Sequence, residues 1–293
     1  MLFRSDWFIG TTPLTGGIPE EIRNLTLTFA YNDIASVEKL FSQYPNDIAC
    51  LIMEVVTTAE PKDNFLHKVQ ALCQKNGTVF ILDEMVTGFR YGFPGVQKKY
   101  GLTPDLSTYG KGIANGFSLA VLAGKKAIME LGGLYHKKER VFLISTTHGA
   151  ETTALAAGLA AIKEMKIKKV TQAMAKHGET LRRGLQSLIK SHNLEPYLEV
   201  FGFPCNLAMN FKDYDDLPSW LLRTIFLQEV IRRGVLFQGY FAISYSHGPR
   251  EIKDTLEIFD QAISAYKQAF ADTVHREKYL IGEVIKPVFR KYN

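Results

Sequence analysis

The chain has 293 residues, 46% of them hydrophobic and 22% charged, and a formal net charge of +5. Those values are near the average for globular proteins and leave material for one large domain or two ordinary ones with a sizeable core. The three cysteines, Cys50, Cys73 and Cys205, lie far apart without a C-x-x-C pair, and the seven histidines show no H-x-x-x-H spacing, so neither a disulfide framework nor a metal site is expected.

Met1 to Gly10 contain Arg4, Asp6 and Trp7 and lack a continuous apolar run, so they do not read as a signal peptide. No apolar run reaches the length of a bilayer span. The expected compartment is a reducing cytoplasm, with no membrane partner. Ala49–Val56 (ACLIMEVV) and Thr78–Leu82 (TVFIL) read as buried strands. Between them Phe65–Gln74 has helical spacing and stops at Asn76-Gly77. Leu106–Tyr109 and Leu119–Ala123 are further short strands. This alternation predicts an α/β fold with a mostly parallel sheet covered by helices. The alanine-rich stretch Ala150–Met165 predicts a helix capped by Thr146, Thr147 or His148. Lys163, Lys166, Lys168 and Lys169 read as its solvated face rather than a nucleic-acid patch, because no aromatic platform is interleaved with them. A long helix follows from about Lys169 to Ser191. Beyond it the pattern changes: paired strands over Tyr197–Phe211, a helix over Leu217–Arg233, a strand-like stretch over Gly234–Tyr245, and a helix to Phe270 with Pro249 in its first turn. The expected division is 1–191 for a large domain, 192–270 for a small α+β domain and 271–293 for a tail.

Asp83 directly follows the strand TVFIL. Ligands of open α/β sheets gather at the carboxyl ends of strands. A carboxylate buried there needs a cationic partner, and a protonated pyridine nitrogen is one. Lys111 follows a second strand, between Gly110 and Gly112. Those glycines permit close approach by a ligand, and a partly desolvated lysine can form an imine with an aldehyde. Thr146-Thr147-His148-Gly149 places hydroxyls and free N–H groups at a helix start, a phosphate-binding arrangement. Taken singly, each also reads as a cap or a surface residue. Two nucleotide motifs fail. Asp105 stands where a P-loop needs its first glycine, and Gly116 is one residue late for a dinucleotide fingerprint.

Together the segments ILDEMVTGFRYGFPGVQKKYGLTPDLSTYGKGIANGF and STTHGAETTALAAGLAAI closely resemble class III aminotransferases, in the flavour of the glutamate-1-semialdehyde aminomutase branch. The resemblance extends upstream through YNDIASVEKLF and, more weakly, to SHGPREIKDTLEIFDQAI. It implies a fold-type I transferase that uses pyridoxal 5'-phosphate. Asp83 then pairs with the ring nitrogen, Lys111 forms the imine and shuttles the proton, Met85 packs on one ring face, and Thr147 reaches the phosphate from the neighbouring subunit of a homodimer. The substrates implied are a small-molecule amino donor and a carbonyl acceptor.

The chain also departs from that family. The family's Gly/Ser-rich phosphate loop and its Tyr/Phe-His-Gly aromatic precede the point that matches Met1, and Phe3 in Met1–Ser5 does not replace the aromatic. The expectation is an N-terminally truncated, incomplete fold. Each lost phosphate bond is worth roughly 1.5–3 kcal/mol, so cofactor binding by the chain alone would be weak. A non-catalytic remnant that keeps a dimer-forming half is the alternative. Gly239 stands where the aminomutase carries a glutamate, which argues against glutamate-1-semialdehyde as substrate. Asp6–Gly10 and Pro287–Lys291 resemble aminotransferases of carbohydrate pathways.

Overall fold

The computed structural model describes residues 14–56, 58–139, 141 and 149–287. By contacts the chain forms two compact units, which meet in sequence between Lys169 and Val170.

In the first unit, α1 (Glu20–Asn24) starts after Pro19, and two glutamates in its first turn complement the helix dipole. The Asp33 carboxylate caps α2 (Ile34–Gln43), accepting from the Ser36 N–H at 3.2 Å. β1 (Cys50–Glu54) leads to α3 (Phe65–Lys75), which buries Phe65, Leu66, Val69 and Cys73 on one face. That helix ends as expected at Asn76-Gly77, where Gly77 takes φ +65 and the Thr78 N–H returns to the Cys73 carbonyl at 2.9 Å. Next come β2 (Val79–Asp83), α4 (Val96–Lys99), β3 (Leu106–Tyr109), a 3-10 turn over Lys111–Ala114, β4 (Val121–Gly124), α5 (Lys126–Met129) and α6 (Thr152–Ile167).

The sheet order is β1-β2-β3-β4. β1, β2 and β3 run parallel, and β4 pairs antiparallel with β3. The β3 entry is pinned by Asp105, whose Oδ2 accepts from the Phe80 N–H at 2.7 Å and whose Oδ1 pairs with Lys125 at 2.6 Å. Ile113 and Ala114 of the 3-10 turn are buried with Phe89 and Tyr109, and Ile162 and Met165 of α6 pack against that cluster. A Cβ at Gly158 of α6 would lie 2.7 Å from Leu119 Cδ2, so glycine permits the close approach.

The second unit begins with α7 (Val170–Ser191), which buries Met174, Gly178, Leu181, Leu185 and Ile189 along one stripe. β5 (Leu198–Phe203) and β6 (Asn206–Phe211) form a hairpin, and β7 (Tyr240–Ala242) extends it antiparallel in the order β5-β6-β7. α8 (Trp220–Ile231) is capped by Ser219 Oγ, which accepts from the Leu222 N–H at 3.2 Å. α9 (Pro249–Ala271) carries Pro249 in its first turn. Edge-on contacts of Phe226 with Phe237, Phe259 and Tyr266 build the centre of this core.

The α/β reading holds, with a mostly parallel sheet flanked by helices and then an α+β unit. Two local expectations shift. The helix expected from Ala150 starts at Thr152, because Ala150 is left-handed at φ +57 and cannot enter a right-handed helix. The strand-like stretch 234–245 yields only Tyr240–Ala242, since Gly234 and Gly239 both take positive φ. Thr146, Thr147 and His148 lie outside the described residues, as do Met1–Gly10 and 288–291.

Candidate active site

The parallel register brings three polar side chains to one end of the sheet. Glu54 closes β1 and pairs in register with Asp83 at the end of β2, which in turn pairs with Thr108 of β3. Asp83 is buried at 7% exposure. Its Oδ1 accepts from the Met85 N–H at 2.9 Å and from Thr108 Oγ1 at 3.1 Å. These bonds fix the carboxylate plane. Oδ2 bonds to no described residue, and no described cation pairs with the carboxylate. A buried carboxylate left half-satisfied in this way has room for one cationic donor.

Lys111 opens the 3-10 turn just past β3. Its φ of +48 is sparsely allowed for a residue with a side chain and is set by the turn into the buried pair Ile113 and Ala114. The side chain is exposed rather than partly desolvated, and Nζ makes no hydrogen bond or salt bridge to a described residue. Met85 lies over Gly110: a Cβ there would fall 2.3 Å from Met85 Cε. A glycine before the lysine is therefore what lets the thioether occupy this place.

Glu54 was not singled out at sequence level. Its signal was available, a lone acid inside the apolar run ACLIMEVV. Burial pushes its carboxyl from 4.5 up to about 8, the Asp83 charge adds to the rise, and Lys111 opposes it. Just beyond it, the Tyr31 hydroxyl donates to the Val55 carbonyl at 2.8 Å and holds the chain as it leaves β1. Glu54 and Asp83 also line a groove of about 540 Å³ together with Val37, Phe41, Leu51 and Met53.

The structure therefore brings Asp83, Met85 and Lys111 to one region. Thr147, the fourth residue expected there, lies outside the described residues. Among the described residues no group of three or more His, Cys, Asp or Glu side chains could hold a metal ion, and no helix is long and apolar enough to cross a membrane.

A mostly parallel, helix-flanked sheet with an aspartate at the end of one strand and a lysine just past the end of the next defines the class: an α/β protein with a candidate ligand site at its strand ends. The profile of the class-III aminotransferases matches residues 13–239, and the chain belongs to that family. Among solved structures it is similar to the FumI protein of Sphingopyxis sp. MTA144 in its PLP internal aldimine form, at 23% identity and a TM-score of 0.82, covering 94% of this chain and 65% of that one. An omega-transaminase from Sphaerobacter thermophilus matches at 20% identity and a TM-score of 0.78, over 88% of this chain and 61% of that one. A thermostable (S)-enantioselective omega-transaminase from Thermomicrobium roseum matches at 25% identity and a TM-score of 0.69, over 80% and 55%. The chain thus spans less than two thirds of the length of these structures.

Proposed function

We propose that the chain carries the lysine-bearing part of a pyridoxal-phosphate-dependent aminotransferase. The observation that carries this reading is the pair of unused groups at adjacent strand ends, Asp83 Oδ2 and Lys111 Nζ. The donor set fits the cofactor: an acceptor-only oxygen for a ring N–H, a free primary amine for an aldehyde, and the Met85 thioether over the Gly110 backbone for an apolar ring face. When bound, pyridoxal phosphate supplies a carbonyl carbon that takes up amines and a ring that withdraws electrons. Asp83 keeps a proton on the ring nitrogen, and Thr108 and the Met85 N–H keep Asp83 oriented. Lys111 Nζ would supply the amine that takes up the cofactor aldehyde and, once displaced by an amino donor, would move a proton between the substrate carbon that bears nitrogen and the cofactor.

The remaining assignments follow from the resemblance. The substrates are an amino donor and a carbonyl acceptor, and Thr147 reaches the phosphate across a homodimer; the cytoplasmic compartment rests instead on the cysteine pattern. Gly239 stands where the aminomutase branch carries a glutamate, which argues against glutamate-1-semialdehyde as the substrate.

Borohydride reduction of the protein with pyridoxal phosphate, followed by peptide mapping, tests the assignment. The label is expected on the peptide bearing Lys111 and is expected to vanish in Lys111→Ala. Label on other lysines only, or equal label in the variant, would refute it. A donor-plus-acceptor assay then separates the reactions: exchange between two molecules supports transamination, and isomerisation of one supports the mutase.

A further inference from the structure

We infer that Glu84, Gln97 and Tyr109 form a hydrogen-bonded circuit that positions Lys111 relative to Asp83. The inference rests on the proposed role of Lys111 and adds residues that touch neither substrate nor cofactor.

Glu84 follows Asp83 and is completely buried at 0% exposure. No described cation pairs with it. Its four backbone and side-chain acceptors and donors are nevertheless all engaged. The N–H donates to the Thr108 carbonyl at 3.0 Å, and the carbonyl accepts from the Gly88 N–H at 2.8 Å. Oε2 accepts from the Thr87 hydroxyl, and Oε1 accepts from the Gln97 N–H at 2.8 Å. Gln97 then carries the link to β3. Its Nε2 donates to the Tyr109 hydroxyl oxygen at 2.6 Å, and its Oε1 accepts from Ser107 Oγ at 3.0 Å.

The backbone is shaped around this carboxylate. A Cβ at Gly95 would lie 2.6 Å from Glu84 Oε1, and one at Gly88 would lie 2.7 Å from both the Glu84 carbonyl oxygen and Tyr109 Cδ1. Tyr109 is itself buried, edge-on to Phe89 at 5.7 Å between centroids. Burial and then the Glu84 charge push its phenol up from the ordinary value, while the Ser107 hydroxyl lowers it.

The placement of the circuit gives it a consequence for the site. The β2–β3 ladder pairs Ile81–Asp83 with Leu106–Thr108 and stops there. Tyr109, Gly110 and Lys111 come after it. The circuit therefore adds a side-chain tie from Glu84, just past β2, to Tyr109, the last residue of β3, two residues before Lys111; the backbone of Tyr109 is paired only on its other side, with Val121 of β4. Lys111 adopts φ +48, a conformation that persists only where its surroundings over-determine it. An apolar plug could fill the same space without burying an unpaired carboxylate. A polar circuit that engages both Glu84 carboxylate oxygens and both ends of the Gln97 amide instead restricts the arrangements open to it.

The test uses Glu84→Gln, Tyr109→Phe and the double variant in the full chain. Two readouts are taken beside the melting temperature. One is the pH profile of Lys111 reductive methylation by formaldehyde and borohydride, followed by peptide mass spectrometry without cofactor. The other is the dissociation constant of pyridoxal phosphate. The circuit predicts a displaced Lys111 profile and an affinity loss of about tenfold in each folded single variant. It also predicts that the double variant is no worse than the worse single, since both break one chain of bonds. Should Glu84→Gln not fold, Tyr109→Phe, which keeps the ring and removes only the hydroxyl, decides on the same profile. An unchanged Lys111 profile in folded variants, or losses that simply add, would overturn the circuit. A profile that shifts while the parent protein takes up no pyridoxal phosphate at Lys111 would support the circuit and refute the proposed function.

Discussion

Replacing Glu54 by glutamine should flatten part of the pH dependence of stability. The carboxyl is held mainly by burial at about 8, against 4.5 for the exposed group. Between those values the folded chain keeps a proton that the unfolded chain releases. The folded state then binds more protons, so unfolding free energy falls as pH rises through this window and levels off above it. The contribution is fully present below 4.5 and is lost by about 8. Glutamine has the same shape, cannot ionise and carries no such slope. The difference in unfolding free energy between Glu54→Gln and the parent should therefore grow in favour of the variant by about 1.4 kcal/mol for each pH unit inside the window. Urea denaturation of both proteins across a pH series measures it directly. The groups facing Glu54 allow a second check. Asp83→Asn removes a charge that raises the pKa and should pull the upper end of the window down. Lys111→Ala removes the charge that lowers it and should push that end up. Parallel stability curves for parent and Glu54→Gln would refute the reasoning, and so would a difference that Asp83→Asn leaves unmoved.

Gly178→Ala should destabilise the second unit by at least 1–3 kcal/mol, roughly the cost of overpacking, because the new Cβ would fall 1.6 Å from the Pro204 carbonyl oxygen; the chemical denaturation midpoint measures this. Arg276→Met should cost roughly 3 kcal/mol, since it strips the cation from Asp213 and leaves the Phe270 carbonyl without the donor now 3.1 Å away. Arg276 holds the Asp213 carboxyl below its ordinary value of 3.8. The pair's stabilisation should therefore be present above that value and lost as pH falls through the depressed folded value, which acid denaturation of parent and variant would show.

The site candidates were visible in the sequence, yet singly each read as a cap or a surface residue, and the resemblance joined them. Asp83 and Lys111 both stand directly after an apolar run, and the glycines around Lys111 mark a place where the backbone must be bare. Met85, two residues past the end of β2, was legible only through the resemblance to the family. Helix ends were legible where a residue type forces them, as at Asn76-Gly77 and Pro249. They were not where an alanine takes a left-handed conformation, as at Ala150, because nothing in an alanine announces it.

Glu54 and the Glu84 circuit lie on the other side of that divide. Glu54 matters because the β1–β2 register sets it beside Asp83, and register is a property of two segments rather than of either. Glu84 is part of a legible Asp-Glu pair, yet its partners are Thr87, Gln97 and, through Gln97, Tyr109. Only the path of residues 87–97 back under the end of β2 brings them together. The same physics explains both. Burying a carboxylate is costly, so wherever the fold does it without a cation the surrounding chain must supply donors or hold a proton. Glu84 is met by donors, and Glu54 by a proton retained to about pH 8. Asp83, between them, has one oxygen engaged and one left open. Three neighbouring acids thus meet burial in different ways, and Asp83 keeps one oxygen open among the described residues.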